Sequence, residues 1–446
     1  MIRYTKVKLG DICRIEKGRT GIASAVPGEY PLVVTAEERK ICDEYQFDCE
    51  AVCIPLVSSS GHGKKSLKNV HYQSGKFALG SILCAVIPNN PQEVNARYLH
   101  QYLQFYKDTL LVPLMKGAAN VSLSMRDIAK VEIPLPDFDT QAALAKTFVE
   151  AQKKQKLLDA EFEKQTEYAK RLRQNILQEA IEGKLTAEWR KTHPAEKGNP
   201  DFDAQALFEQ IQKEKCHTDS ILLTQNQKKK HKGKSLDFPN PCDNDYPSEI
   251  PESWKWVRLG EIGNWASGAT PIKSETLYYS NGTIPWLRTG DLNDNSISSV
   301  PMFITDKALK ECSLRLNPIG TVLIAMYGAT IGRVGILEIE AATNQACCAC
   351  IPYQKNFSYY LFYLLISLRK KFKEMSWGAA QPNISKEIII KTLFPLPPLA
   401  EQKEIVAKVE SLLAEVTELE NQIQKRKKLS ELLMQSVLKN AFNRKN

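Results

Sequence analysis

A chain of 446 residues is too long for a single core and suits two or three domains. With 43% hydrophobic and 25% charged residues it has the composition of an ordinary soluble globular protein, and no apolar run reaches the roughly 18–20 residues that span a bilayer. A formal charge of +9 points to a polyanionic partner, while eleven scattered cysteines without paired CxxC motifs argue for free thiols in a reducing cytoplasm and against a zinc site.

The chain opens with "VKLGDICRIEKGRT" from Val7, with no apolar stretch of the signal-peptide kind before it. From Glu50 to Glu93 no carboxylate intervenes, and Lys64, Lys65, Lys68 and Lys76 fall inside that window. Such a window is either a solvated basic face or a surface that tracks phosphates. "KFALGSILCAVIP" is β-rich and cut by glycine, and "NARYLHQYLQFYKDTL" is an amphipathic helix. "GAANVSLS" from Gly117 and a Pro-Leu-Pro at Pro134 then lead into a long helical region.

Most of these signals come back. "VRLGEIGNWASGAT" at Val257 repeats the opening 250 residues on, and "GAAQPNIS" at Gly378 repeats Gly117 at an offset of 261. "PLPPLAEQKEI" at Pro395 repeats "PLPDFDTQAAL", with Pro136 and Pro397 again 261 apart. "PIGTVLIAMYGATIGRVGIL" and "SYYLFYLLISLRKKF" supply the second set of strands and helix, with further acid-free windows from Glu311 to Glu338 and from Glu340 to Glu374. Internal duplication with a divergent middle is the main organisational fact.

After the second Pro-Leu-Pro, apolar residues fall at Ile405, Val409, Leu412, Val416, Leu419 and Ile423, a heptad spacing of 4, 3, 4, 3, 4. The first copy offers Leu144, Phe148, Leu158, Phe162 and Leu172. Each stripe can cap its own domain or pair with the other; pairing is the expectation, antiparallel if a two-fold axis relates the copies. Residues 193–250 read as a connector, with a short amphipathic piece near Phe202–Lys215 and a flexible Lys-rich tip. Catalytic constellations are missing from the pattern. No GxGxxG follows a strand, "GKS" at Gly233 lacks the phosphate-loop spacing, and the six histidines have no partner at metal-ligand spacing. Glu401-x-Lys403 opens a helix and reads as first-turn chemistry, not as a nuclease motif.

This order of signals resembles the specificity subunit of type I restriction-modification systems. The resemblance rests on the Leu-Gly-x-Ile openings at Leu9 and Leu259, "IPLPDFDTQ", "FPLPPLAEQKEI", "GATIGRVGI" at Gly328 and "AIEGKLTAEWRKTHP". It implies an α+β chain with an internal pseudo-two-fold repeat. Two mixed α/β target-recognition domains (1–135 and 251–396) would be separated by helical regions (136–192 and 397–446) packed as an antiparallel coiled coil. It also implies a cytoplasmic, non-catalytic subunit that reads a bipartite double-stranded DNA target. The expected partners are two methyltransferase subunits and restriction subunits, which would carry S-adenosylmethionine and ATP/Mg; this chain would need no cofactor. The alternatives are a piece of a single-chain restriction-methylation enzyme and a structural coiled-coil adaptor.

Base contacts are expected from long polar side chains on glycine-punctuated loops, with lysines on phosphates. The candidates are Ser60, His62, Lys64, Lys65, Gln73 and Lys76 in the first domain. In the second they are Lys273, Tyr278, Arg288, Tyr327, Thr330, Arg333 and Gln345. The first domain departs from the "GATIGR" pattern and offers "SSSGHGKKS" from Ser58.

Overall fold

The computed structural model describes residues 5–60, 63–226, 249–376 and 383–443. The chain forms two compact units, Met1–Gln165 with Gln422–Asn446, and Thr166–Asn421.

The first unit begins with β1 (Thr5–Lys8), α1 (Leu9–Ile12), β2 (Cys13–Lys17), β3 (Tyr30–Val33), β4 (Lys40–Cys42) and β5 (Phe47–Asp48). It continues through β6 (Ala51–Pro55), β7 (His71–Gln73), β8 (Lys76–Leu79) and β9 (Leu83–Pro88) to helix α2 (Ala96–Leu110). Then come α3 (Met125–Ala129), β10 (Glu132–Leu135) and the long α4 (Phe138–Ile181), whose last turns lie in the second unit. Two four-stranded sheets form, in the orders β2-β9-β6-β7 and β4-β3-β8-β5. The fully apolar runs of β6 and β9 are buried along their whole length, as strands covered on both faces must be. Helix α2 lays Tyr98, Leu99 and Leu103 onto the core that also holds Phe148 of α4.

The second unit adds α5 (Ala187–Thr192), α6 (Ala204–Asn226), β11 (Lys255–Arg258), β12 (Gly263–Ser267), β13 (Ile284–Leu287), β14 (Asn295–Ile297) and β15 (Phe303–Ile304). After these come α7 (Asp306–Glu311), β16 (Val322–Ala325), β17 (Val334–Leu337), β18 (Ala342–Thr343) and β19 (Cys347–Pro352). Helices α8 (Ser358–Ser367), α9 (Arg369–Met375) and α10 (Lys386–Lys391) precede β20 (Leu393–Leu396) and the long α11 (Leu399–Asn443). The sheets are β12-β19-β16-β17-β14 and β15-β13-β18.

The duplication extends to individual hydrogen bonds. β1 pairs β10 with Thr5 opposite Leu135, and β11 pairs β20 with Lys255 opposite Leu396, which is the same register at offsets of 250 and 261. Tyr98 Oη donates to Pro134 O at 2.7 Å, and Tyr360 Oη donates to Pro395 O at 2.9 Å. Gln141 and Gln402 each donate Nε2 to the carbonyl of Pro136 or Pro397 at 2.8 Å. The prolines fix φ where the chain turns into each long helix, and a buried tyrosine and glutamine satisfy the carbonyls left unpaired there. Gly18 and Gly268 sit at equivalent crossings, where a Cβ would lie 2.2 Å from Gly80 O and 1.9 Å from Thr343 O. Gly268→Ala is therefore expected to destabilise the second unit by about 1–3 kcal/mol or more, read as a lowered unfolding midpoint in urea.

Within each unit the long helices run antiparallel. In the first, Ser430 of α11 donates to Gln155 of α4 at 3.1 Å, and Met434 packs beside Leu144 and Ala151. In the second, Arg173 reaches Thr417 at 3.0 Å and Glu420 at 3.1 Å, and Lys408 Nζ reaches Leu185 O at 3.2 Å. Ile405, Val409 and Val416 are buried in one core with Ala169, Ile176, Leu177 and Ala180 of α4 and with Tyr360 and Leu364 of the same domain. Capping a domain and pairing with the other helix are thus done by one stripe. Phe148 and Phe162 are buried, and Leu144, Leu412 and Ile423 are half-buried. Leu158, Leu172 and Leu419 instead stand 45%, 43% and 47% exposed. The heptad spacing overcounts the seam because a straight α-helix drifts about 20° per heptad from a 3.5-residue repeat, and small Ala169 and Ala180 take inner positions on α4.

The connector is more ordered than its composition suggests. α6 buries Leu207 and Ile211 in the second unit's core, and the carbonyls of Pro200 and Asp201 accept the first amides of α11, from Leu399 and Ala400, at 3.1 Å each. Pro398 stands where the first copy has Asp137, which caps α4 through the amide and hydroxyl of Thr140 at 2.9 and 2.7 Å. Those bonds hold the Asp137 carboxyl below its ordinary range. α11 lacks that aspartate, and the connector backbone does its work. The Lys-rich tip lies outside the described residues, as does most of the second Gly-Ala-Ala segment.

Candidate nucleic-acid interface

The β6–β7 loop leaves the sheet at Leu56 and is fastened by its backbone, with Leu123 N on Leu56 O at 2.9 Å and Ser58 N on Val121 O at 3.0 Å. Its serines then fold it on itself. Ser58 Oγ donates to Lys64 O at 2.5 Å and accepts the amides of Ser60 and Ser66 at 3.3 and 3.2 Å. Ser60 Oγ meets Ser66 Oγ at 2.6 Å, and Ser59 Oγ accepts the amide of Lys68 at 2.9 Å. Short hydroxyls thus satisfy a backbone that has no ladder. Lys64, Lys65 and Lys68 are left exposed, as is Ser60. His62 lies outside the described residues.

Gln73 ends β7 on the side away from this loop, and Lys76 begins β8. Gln73 is half-buried, with Oε1 accepting from Arg39 Nε at 3.1 Å and Nε2 donating to Ser74 O at 3.3 Å. Lys76 is exposed and lies 4.9 Å from the centre of the Tyr45 ring. Arg39 also meets His71 Nδ1 at 3.2 Å. Burial first, then the Arg39 charge, hold that imidazole down to about 4, so it is neutral near pH 7.

In the second domain the β16–β17 loop carries Tyr327, Thr330 and Arg333 together. Thr330 Oγ1 donates to Tyr327 O at 2.9 Å, Gly328 and Gly332 take φ of +64° and +75°, and Arg333 Nη1 reaches Asn293 Oδ1 at 3.3 Å. Tyr327 is 44% exposed. Arg288 and Gln345 form a second group just past the ends of the parallel neighbours β13 and β18, where Asn344 N donates to Leu287 O at 2.8 Å; both are exposed. Lys273 is exposed on the segment before Tyr278. Tyr278 is already engaged, donating to Glu311 Oε2 at 2.9 Å under Lys307. The Glu311 bond, ahead of burial, pushes the phenol up to about 12.

The two loops occupy the same place in the repeat. β6 and β16 are both flanked by β9 or β19 on one side and β7 or β17 on the other. The loop beginning at Val57 makes an antiparallel bridge to Ser122, and the loop beginning at Tyr327 makes one to Asn383, the residue 261 further on. "SSSGHGKKS" is thus the positional counterpart of "YGATIGR". Spacing had hidden this, because the offset between the copies is 250 at Gly18 and Gly268, 270 at Val57 and Tyr327, and 261 at Ser122 and Asn383.

Two clasps are not among the candidate residues, although Arg369 lies in the acid-free window from Glu340 to Glu374. Arg39 clasps β7 in the first domain, and Arg369 clasps the β16–β17 loop in the second. Among the described residues no group of three or more His, Cys, Asp or Glu could hold a metal ion. Cys347, Cys348 and Cys350 are buried on β19, where burial raises all three thiols, Cys348 to about 12.

Two copies of one α+β domain, each joining a fixed mount to its own exposed loop, define a duplicated recognition scaffold. The family model for the type I restriction modification DNA specificity domain matches residues 1–169 and 251–428, so the chain belongs to the family of type I restriction-modification DNA specificity subunits. It is 32% identical to the type I restriction enzyme MjaIX specificity subunit of Methanocaldococcus jannaschii, over 44% of this chain and 45% of that one. The chain thus spans about half the length of that relative. It is 24% identical to the EcoDI specificity subunit of Escherichia coli, over 99% of this chain and 88% of the relative. A chain from a solved structure of a type I R-M system shares the fold with a TM-score of 0.60 at 18% identity, covering 99% and 98% of the two chains.

Proposed function

We propose that this chain reads a two-part double-stranded DNA target, one half-site per domain, and has no catalysis of its own. It serves two methyltransferase subunits and the restriction subunits in the cytoplasm; S-adenosylmethionine and ATP/Mg belong to those partners. The observation that carries this reading is the contrast inside the repeat. The mount is repeated down to single hydrogen bonds, while the loop in the same place changes from a serine–lysine loop to a Tyr-Gly-Ala-Thr-Ile-Gly-Arg loop. A scaffold that needs two readers of different sequences keeps the mount and varies the reading surface. Mapping DNA methylation in a host that expresses this chain with its methyltransferase tests the reading. One interrupted motif with two defined halves is expected; a continuous motif, or methylation independent of this chain, overturns it.

Lys64 and Lys65 are placed on phosphates in this reading. Changing both to alanine is expected to weaken binding to every sequence alike. The salt dependence should become shallower by about 1.8 in log–log slope, at roughly 0.9 per lost phosphate contact. Titrations from low to moderate salt read this directly, and an unaltered slope removes the loop from the DNA backbone.

A further inference from the structure

We infer that Arg369 is a positioning residue for base reading in the second domain, an inference that rests on the recognition role proposed above. Arg369 begins α9, outside the β16–β17 loop, yet its side chain is the clasp on that loop. Nε donates to Gly332 O at 2.7 Å, and Nη2 is paired with Asp294 Oδ1. Asp294 holds the other side of the loop, accepting the Val334 amide on Oδ1 at 3.0 Å and donating its own amide to Val334 O at 2.9 Å. It does so from a left-handed backbone, φ +59°, which aspartate tolerates better than most residues. Gly332 has no room for a side chain, because a Cβ would lie 2.7 Å from Arg369 Cγ.

The ion pair is partly withdrawn from water, with side chains 25% and 32% exposed, and Nε and Nη2 of the guanidinium are both engaged by protein partners. What it orders is the span from Tyr327 to Arg333, exposed from Tyr327 to Ala329, anchored by buried Ile331 and half-buried at Thr330 and Arg333, whose last residue also leans on Asn293, next to Asp294. One arginine therefore fixes the height and tilt of the segment that carries three candidate base readers. A planar guanidinium suits this task because it serves a carbonyl and a carboxylate at once, which a lysine ammonium does less well.

The test uses the full chain assembled with its methyltransferase subunits and carrying Arg369→Ala, with Arg369→Lys and Asp294→Asn in parallel. Amide hydrogen exchange over residues 327–334 reads the brace itself. It should quicken clearly in Arg369→Ala and less in the other two, with the rest of the second unit unmoved. Unchanged exchange in that window overturns the brace. Competition between cognate DNA and DNA altered in one half-site reads the consequence. Discrimination at the second half-site should fall roughly ten- to hundredfold, the range expected for losing one well-made base contact. Discrimination at the first half-site and the salt slope should stay as they were. A salt slope shallower by about one unit would make Arg369 a phosphate contact, and equal loss in both half-sites would make it a global structural residue; either outcome overturns the inference. Faster exchange in the loop with unaltered discrimination would separate the two claims, leaving the brace standing and removing this loop from base reading.

Discussion

Exchanging residues 21–114 for the same segment of a relative is expected to redirect one half of the DNA target and leave the other half untouched. The exchanged segment carries β3 to β9, α2 and the serine–lysine loop, and the clamp of β1 with β10 stays behind with α4. Where the boundary crosses a sheet, the ladder bonds are main-chain bonds, and Gln46 and Tyr98 add side-chain bonds to the carbonyls of Lys17 and Pro134. β2 pairs with β9 from Cys13 opposite Pro88 to Lys17 opposite Cys84, and Ser58 and Leu56 bond to Val121 and Leu123. Any sequence that forms the strand can supply these. The shared core does have to be refilled, since Val52, Ile54, Tyr98 and Leu99 come from the graft and Leu9, Val121, Ile133 and Phe148 from the recipient. Apolar exchanges that conserve volume cost less than about 1.5 kcal/mol each, so a relative with a similar core refolds. The penalty on the old half-site is larger. Each unmatched base pair costs about 1–3 kcal/mol, and three of them already exceed a hundredfold in affinity. Methylome sequencing of the chimera shows the outcome, and a change in both halves would refute separate readers.

How much of this was legible in the sequence depends on how local each feature is. The openings at Leu9 and Leu259 and the Pro-Leu-Pro turns are short runs whose neighbours in sequence are also their neighbours in space, so the repeat and the helices that follow it could be read directly. The clasp of Arg369 on Asp294 spans 75 residues and brings together two ordinary surface-looking residue types, and no spacing rule ties them. The engagement of Tyr278 by Glu311, 33 residues away, is of the same kind. Heptad spacing identifies one stripe on each long helix, but a stripe does not say how deeply each of its residues is buried, and Leu158, Leu172 and Leu419 stand 43–47% exposed. The equivalence of the two loops was hidden for a different reason. Insertions fall between fixed strands, so the offset between the copies rises to 270 and returns to 261 before the next recognisable motif. Strand order restores the correspondence because hydrogen-bonded neighbours are conserved through length changes that break an alignment.

Glu401→Ala is expected to be among the most destabilising single changes in the second unit, at about 3 kcal/mol, because it leaves Arg190, a cation whose side chain is only 20% exposed, without its carboxylate partner and two buried donors without an acceptor. Glu401 is 1% exposed and sits in the first turn of α11. Its Oε1 accepts from Thr186 Oγ1 at 2.6 Å and from Arg190 Nη1, and its Oε2 accepts from Trp254 Nε1 at 2.7 Å. Arg190 in turn donates Nη2 to Gly183 O at 2.5 Å and covers the Trp254 ring at 5.8 Å. The "EGKLTAEWR" stretch after α4 therefore has a physical task. Gly183, at φ +72°, turns the chain, and Thr186 and Arg190 bring it to the start of α11. One carboxylate joins the end of the first long helix, the start of the second domain and the start of the second long helix. The first copy has Thr140 at this position, so the two halves differ here by design of the connector and not by drift in a loop. Glu401→Gln keeps the shape and one acceptor but opposes an amide to one donor, and about 1–3 kcal/mol is expected for the group left unsatisfied. Urea unfolding of the full chain measures both. If the carboxylate acts by compensating Arg190, the double change Glu401→Ala with Arg190→Ala should cost clearly less than the sum of the two single changes, since no uncompensated charge remains buried. Additive costs would mean that packing around Trp254, and not the ion pair, holds this junction together.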